Sequence, residues 1–320
     1  MDAAAPRVLV IFPGALGDLM CAMPALAAIS RRHPGTSIEL MAREELARLA
    51  MGRSVVARAH SIDRREVSAL FEESSREPSR SREFFSQFDR IYSFFAADDA
   101  RFRAALIAST KGAVSFHPFR PDGAGHVAEA YLQSIGESNP WLGESKLIQP
   151  NLSDVGDAKA ALRSSGCDIA KLMVIFPGSG SQKKNWPARN FIRLALNLSK
   201  SASPVVVLGP AEENLAVVFR KAGLPVIEDL ALGTVAAIAR IASCFVGNDS
   251  GVSHLAATVG ARGVVIFGPT DPARWRPLGQ VAILRQEPIE TLEPAKVETA
   301  LRVLLKAPWH REGIQNGRGK

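Results

Sequence analysis

The chain has 320 residues, of which 47% are hydrophobic and 22% charged, a balance that supports two cores of ordinary size and excludes global disorder. Its net charge of +7 suits an anionic partner, either nucleic acid, an anionic membrane surface or a phosphorylated substrate. Nucleic acid is the disfavoured member of that set, because no binding motif is present and aromatic residues are only 7%.

The N-terminal residues Met1 to Pro6 lack the basic stretch of a signal peptide. An apolar run then extends from Val8 to Ile29, interrupted by Pro13, Gly14, Gly17, Asp18 and Pro24. A carboxylate and this punctuation argue against a membrane span, so a soluble or peripheral cytoplasmic protein is expected. Within the run, Val8–Phe12 predicts a buried strand ended by Pro13-Gly14, and a helix follows from about Gly17-Asp18 to Arg32, stopped by His33-Pro34-Gly35. Ser37–Met41 predicts a second strand and Arg43–Ala50 a second helix, which together make a βαβ unit and imply a parallel sheet. Ser61–Arg82 is polar and without a clear period, and predicts a loop with a short helix. A strand is expected at Arg90–Phe95, with helices at Asp98–Ile107 and Gly125–Ile135.

Gly136–Gly156 holds Asn139-Pro140, Gly143, Pro150 and Ser153, the composition of a linker. The alternation then resumes. Helices are predicted at Asp157–Ser165, Pro187–Leu198, Glu212–Lys221, Thr234–Ile241 and Val252–Val259. Strands are predicted at Leu172–Phe176, Val205–Leu208, Val226–Glu228, Cys244–Val246 and Val264–Phe267. Pro187 is suited to a first helical turn. Both halves open alike, Val8-Leu-Val-Ile-Phe-Pro-Gly-Ala beside Met173-Val-Ile-Phe-Pro-Gly-Ser. The expected architecture is two Rossmann-like, doubly wound α/β domains, 1–152 and 153–307, facing across a cleft, with a fraying tail over 308–320. The three cysteines, Cys21, Cys167 and Cys244, form no CxxC pair or disulfide framework and read as buried free thiols.

Five segments can carry chemistry, each at the end of a predicted strand. The first is Phe12-Pro-Gly-Ala-Leu-Gly-Asp18. Its glycines permit a sharp turn and a close ligand approach. Asp18 is either a general base facing the cleft or a plain helix cap. The second is Pro177-Gly-Ser-Gly-Ser-Gln-Lys-Lys-Asn-Trp-Pro187. Here Ser179, Gly180 and Ser181 offer hydroxyls and amides to a diphosphate and a lysine offers charge, unless the loop is simply solvated. The third is Gly247-Asn-Asp-Ser-Gly-Val-Ser-His254. Asp249, Ser250 and Gly251 lie where unpaired helix-terminal amides grip phosphate or a sugar hydroxyl, with His254 one turn on; an N-cap aspartate and a packed histidine are the plainer alternatives. The fourth, Leu208-Gly-Pro-Ala-Glu-Glu213, places an acidic residue where it can bond ribose or merely complement a helix dipole. The fifth, Phe267-Gly-Pro-Thr-Asp-Pro-Ala-Arg-Trp275, is a Pro-rich loop beside the same cleft, whose tryptophan more often packs than stacks on a ligand. No Gly-x-Gly-x-x-Gly, Walker lysine, Gly-x-Ser-x-Gly elbow or metal-ligand spacing is present.

Taken together, these residues resemble glycosyltransferase family 9, the ADP-heptose:lipopolysaccharide heptosyltransferases. The resemblance rests on four ordered motifs: Gly14-Ala-Leu-Gly-Asp18 with Pro24-Ala-Leu26, Pro177-Gly-Ser with Lys184-Asn-Trp-Pro187, Asp249-Ser-Gly-Val-Ser-His254-Leu-Ala, and Gly268-Pro-Thr-Asp-Pro272. It implies a GT-B fold and a metal-independent, inverting transfer of heptose from ADP-heptose to the lipopolysaccharide inner core, with no cofactor beyond the nucleotide sugar. It further implies Asp18 as the base and Lys184 at the leaving diphosphate beside Ser179, Gly180 and Ser181. Asp249, Ser250, Gly251 and His254 would hold the donor, Glu212 (or Glu213) would reach the ribose, and Gly14, Ala15 and Gly17 would face a glycolipid or oligosaccharide acceptor. The basic charge fits work at an anionic inner membrane face. The chain departs from the family at Phe12, where many heptosyltransferases carry Arg. A GT-B nucleotide-sugar epimerase and a non-catalytic nucleotide-sugar-binding module are the alternative readings.

Overall fold

A computed structural model describes residues 6–72, 78–123, 125–137 and 147–306. Two parallel sheets organise it. The first contains β1 (Arg7–Ile11), β2 (Ser37–Ala42), β3 (Val56–Ser61), β4 (Arg90–Ser93) and β5 (Ala113–Phe116), in the order β3-β2-β1-β4-β5. The second contains β6 (Leu172–Phe176), β7 (Ser203–Val207), β8 (Val226–Ile227), β9 (Cys244–Asn248), β10 (Gly263–Phe267) and β11 (Val281–Arg285), in the order β11-β10-β9-β6-β7-β8. Every pairing is parallel.

Helices follow the strands. In the first half they are α1 (Leu16–Arg32), α2 (Glu44–Ala50), α3 (Arg65–Ser68), α4 (Pro78–Phe85), α5 (Ala100–Ser109) and α6 (Val127–Ser134). In the second they are α7 (Leu152–Ser164), α8 (Ala188–Leu198), α9 (Glu213–Lys221), α10 (Leu232–Ile241), α11 (Gly251–Thr258), α12 (Pro272–Trp275) and α13 (Pro294–Lys306). Two doubly wound α/β units result, the architecture expected of a GT-B fold.

The central strands are covered on both faces, which is why they read as unbroken apolar runs. Along β1, Val8 and Val10 point with Phe12 towards α1, while Leu9 and Ile11 point to the opposite cluster with Phe85, Phe102 and Leu106. The α1 side does not stop at the domain edge. The same apolar cluster continues through Leu19 and Met23 of α1 to Leu255 of α11 and on to Val174 and Phe176 of β6. The outer face of the second sheet has its own core around Trp186, Phe191, Phe219 and Val297. The two halves are therefore joined by a shared hydrophobic layer beneath the cleft.

The structure corrects the sequence reading in several places. Strands β3, β5 and β11, none of them predicted, are all sheet edges. Apart from the buried Val56 of β3, their residues are exposed or half-buried, so they lack the buried run that marks the centre. Helix α13 was also not predicted. Between Ser61 and Arg82 the structure places α3, a short 3₁₀ turn and part of α4. Helix α7 begins at Leu152, inside the expected linker. Asn151 caps it by accepting the Asp154 N–H at 3.0 Å, and the Asp154 carboxylate returns a bond to the Asn151 N–H at 2.8 Å. Pro187 is the N-cap of α8 rather than its first helical residue. Cys21 and Cys244 are buried, but Cys167 is only half-buried in the turn after α7, because a turn offers one covered side. The expected linker motif Asn139-Pro140 and the expected tail lie outside the described residues. Among the described residues, no helix is long and apolar enough to cross a membrane.

Candidate active site

In an open parallel sheet, ligands bind at the carboxyl ends of the strands where the strand order reverses. Those switch points lie between β1 and β4 in the first sheet and between β6 and β9 in the second. The loops leaving β1, β5, β6, β9 and β10 converge there on a cavity of about 310 Å³. Ala15, Gly17, Asp18 and Arg120 line it from the first half; Gly180, Lys184, Asp249, Ser250, Gly251, His254, Thr270 and Trp275 line it from the second. Four of the five predicted segments thus meet at one cavity.

On the first side, Asp18 is the third residue of α1 and is only 7% exposed. Its Oδ2 accepts the Ala15 N–H at 3.1 Å and lies 3.4 Å from Nη2 of Arg120. The cap and the site-facing carboxylate, weighed as alternatives from sequence, are therefore one group doing both. Gly14 makes this possible: a Cβ there would stand 2.5 Å from the Phe12 ring, 2.7 Å from Asp18 Cβ and 3.0 Å from the Phe119 ring. Phe12 is fully buried and meets Phe94, Phe119 and Tyr131 edge-on. A cation at position 12 would have no water there. The cation beside Asp18 is instead Arg120, stacked on the Phe119 ring. No local sequence signal could connect it with Asp18, 102 residues away.

On the second side, Lys184 ends a 3₁₀ turn, and its Nζ is 2.8 Å from Asp249 Oδ2. His254 Nε2 lies 3.8 Å from the other oxygen of Asp249, and His254 Nδ1 lies 3.6 Å from the Cys21 sulfur on α1. Burial pushes the Asp249 carboxyl up, but His254 and Lys184 outweigh it and hold the pKa below the ordinary value. For His254, burial opposes the charged ring; Cys21 and Asp249 prevail and raise its pKa to about 9. The site therefore holds a protonated imidazole and an ammonium around one carboxylate, a cationic wall facing the cavity.

The loops are fixed by a residue to which the sequence reading gave no role. Asn248, fully buried, donates to the Pro177 carbonyl at 2.7 Å and accepts the Trp186 N–H at 3.0 Å. It ties the β6 and β9 loops together. Ser250 caps α11, and Ser253 Oγ donates to the Asn248 carbonyl at 2.7 Å. The α11 N-terminus approaches that of α1 so closely that a Cβ on Gly251 would stand 2.9 Å from Leu16 Cβ and 3.2 Å from Gly17 N. Both helix ends thus point at one cavity.

The remaining predicted residues are placed differently. The Ser179 hydroxyl is 2.6 Å from Asn185 Oδ1 and 2.8 Å from the Ser181 carbonyl, so it shapes the loop. Ser179 and Ser181 do not line the cavity, whereas Gly180 does. Glu212 accepts the Gly209 N–H at 3.0 Å and lies where a Cβ on Gly178 would be, at the β6 loop but off the cavity lining. Burial pushes its carboxyl pKa up. Glu213 is exposed. Trp275 packs against the shared apolar layer, as expected, and with Thr270 also lines the cavity. Among the described residues, no three His, Cys, Asp or Glu side chains cluster so as to hold a metal ion.

Comparison with known proteins bears on the family and the fold. The family model for glycosyltransferase family 9 (heptosyltransferase) matches residues 144–300. Lipopolysaccharide heptosyltransferase 1 of Escherichia coli K12 is 24% identical over 315 residues, covering 89% of this chain and 95% of that protein. Among solved structures, a family 9 glycosyltransferase of Veillonella parvula superposes with a TM-score of 0.78 at 18% identity, covering 95% of this chain and 98% of that one. The E. coli heptosyltransferase WaaC, solved with ADP, superposes with a TM-score of 0.70 at 21% identity, covering 93% and 99%. The matched family model over the second half, a relative aligned along nearly the whole chain and the shared GT-B fold lead to one conclusion: this protein is a glycosyltransferase similar to the heptosyltransferases of family 9.

Proposed function

We propose that the protein transfers heptose from ADP-heptose to a lipopolysaccharide-core acceptor, with inversion and without a metal. The observation that carries this reading is the meeting of Asp18 with the Lys184–Asp249–His254 set on opposite walls of one cavity. The acceptor belongs to the first half (residues 1–152), against Gly14, Ala15 and Gly17, and the donor to the second (153–307). Asp18 takes the proton of the acceptor hydroxyl as that oxygen attacks the anomeric carbon. The bond from that carbon to the diphosphate oxygen breaks on the opposite face, and the leaving diphosphate keeps the electron pair. Lys184 and the free amides at the α11 N-terminus neutralise the charge that develops there. That wall provides the stabilisation a metal would otherwise supply. His254, protonated at neutral pH, adds a second positive group within reach of the donor.

Gly180, Ser250 and Gly251 lie on the same wall and suit the phosphates and the donor sugar. Ser179 and Ser181 contribute through the loop that presents Gly180. Glu212, in the turn after β7 and held against Gly178 of the β6 loop, suits the ribose. The net charge of +7 suits peripheral work at an anionic membrane on the cytoplasmic side. Sedimentation that shows no preference for anionic over neutral liposomes would remove that part of the reading.

The test is Asp18→Asn. Loss of a general base costs on the order of 10²–10⁴-fold in rate, while ADP binding should be nearly unchanged, because Asp18 stands on the acceptor side. Transfer at close to the wild-type rate would show that Asp18 is not the base. Product analysis of ADP-heptose incubated without acceptor separates transfer from epimerisation.

A further inference from the structure

A second contact between the two halves lies at the rim of the cavity, and the transfer reaction as described above makes no use of it. The loop after β5 runs from His117 through Phe119 and Arg120 to His126, which caps α6. Its inner end is held within its own domain, where the Tyr131 hydroxyl donates to the Phe119 carbonyl at 2.6 Å. Its outer end is held from the other domain. Arg274 of α12 donates through Nη1 to the carbonyls of Gly123 at 2.8 Å and Gly125 at 3.0 Å, and through Nη2 to that of Pro121. His126 Nε2 donates to the Arg276 carbonyl at 2.8 Å, while its Nδ1 accepts the Ala128 N–H at 3.2 Å, which fixes one neutral tautomer.

This arrangement has a direction. Three backbone carbonyls turned towards one guanidinium need a turn that presents them, and Gly123 takes a φ of +144°, open to glycine, to do so. A guanidinium satisfies several acceptors at once in a fixed plane, which an ammonium cannot do. Arg120 lies between the two anchors. Its side chain is 61% exposed and held only by the Phe119 ring of the same loop and by Asp18 at 3.4 Å, so its place follows the loop backbone.

We propose that Arg274 is a positioning residue: from the donor-side domain it grips the Pro121, Gly123 and Gly125 carbonyls and so holds the loop that carries Arg120 against Asp18. The inference rests on the reading of Asp18 as the base, and it makes the acceptor side of the site dependent on the position of the other domain.

The experiment uses the full chain and the variants Arg274→Ala, Arg274→Lys, Arg120→Ala and the Arg120→Ala/Arg274→Ala double. Hydrogen–deuterium exchange should rise on the order of tenfold in peptides covering 117–126 when Arg274 becomes Ala, because charge-assisted bonds are removed. Peptides covering β1 and β2 should not change. Transfer should show a fall in kcat of about tenfold or more, since small displacements at a reacting centre are costly, with ADP affinity within about twofold of wild type. The lysine variant, with one point charge, should recover part of both effects. The double variant should be no slower than Arg120→Ala alone, because Arg274 acts through Arg120. Unchanged exchange over 117–126, or additive losses in the double variant, would overturn the proposal. Should wild-type protein transfer sugar to no acceptor, the proposed function fails, and the exchange measurement still decides whether Arg274 holds the loop.

Discussion

Replacing His254 with Gln should remove a stabilisation that depends on pH, and its size follows from the pairing in the cavity. The ring is 5% exposed at the side chain, with the Cys21 sulfur 3.6 Å from Nδ1 and the Asp249 carboxylate 3.8 Å from Nε2. Its pKa rises from the ordinary 6.5 to about 9 in the folded protein. A raised pKa means that the folded state binds the proton more tightly than the unfolded chain. The stabilisation is therefore complete below about pH 6.5 and is lost as pH rises through about 9. Between those limits the native state holds one proton more, so stability falls by about 1.4 kcal/mol per pH unit, about 3 kcal/mol in all.

Urea unfolding of wild type and His254→Gln across this range measures the effect. The wild-type advantage should be largest at about pH 6 and shrink by about 3 kcal/mol by about pH 9.5. Cys21→Ala, which removes the sulfur beside Nδ1, should remove part of the same dependence. A wild-type-minus-variant difference that stays flat across the range would refute the assignment of a buried, charged imidazole.

Two further outcomes follow from the same site. Lys184→Ala removes the ammonium 2.8 Å from Asp249; ADP affinity measured by calorimetry should fall on the order of 10–100-fold, the worth of one charge-assisted contact, and an unchanged Kd would exclude Lys184 from the donor. Gly14→Ala forces a methyl to within 2.5 Å of Phe12 and 2.7 Å of Asp18 Cβ. It should cost about 1–3 kcal/mol in stability and slow transfer while sparing ADP binding. Gly17→Ala is the control, because a Cβ there comes no closer than 3.6 Å to His254, and its melting temperature should match wild type.

The central strands were legible because burial on both faces favours apolar residues: Val8–Ile11 and Leu172–Phe176 announce themselves as apolar runs leading into Pro-Gly. The edge strands β3, β5 and β11 were not, since a half-exposed strand has no such signature. The lining of the candidate site was legible where it is built from short local motifs. Asp18, Lys184 and Asp249–His254 each follow a strand within a short motif, and all of them line the cavity. Glu212, expected at the ribose, stands against Gly178 beside the cavity lining, a placement that depends on how the β6 and β7 loops pack and not on either motif alone.

What the amino-acid order determined alone is the repeat of β and α elements, the doubling of the fold and the loops that carry small and charged residues, because propensity, turn chemistry and burial act over a few neighbours. Only the tertiary structure decided which of those loops meet. Arg120 beside Asp18, Cys21 against His254, and Arg274 across to the Pro121–Gly125 turn join residues more than 100 positions apart. Such contacts are made by the stacking of two sheets on a shared apolar layer, and no pattern along the chain encodes the distance between its ends.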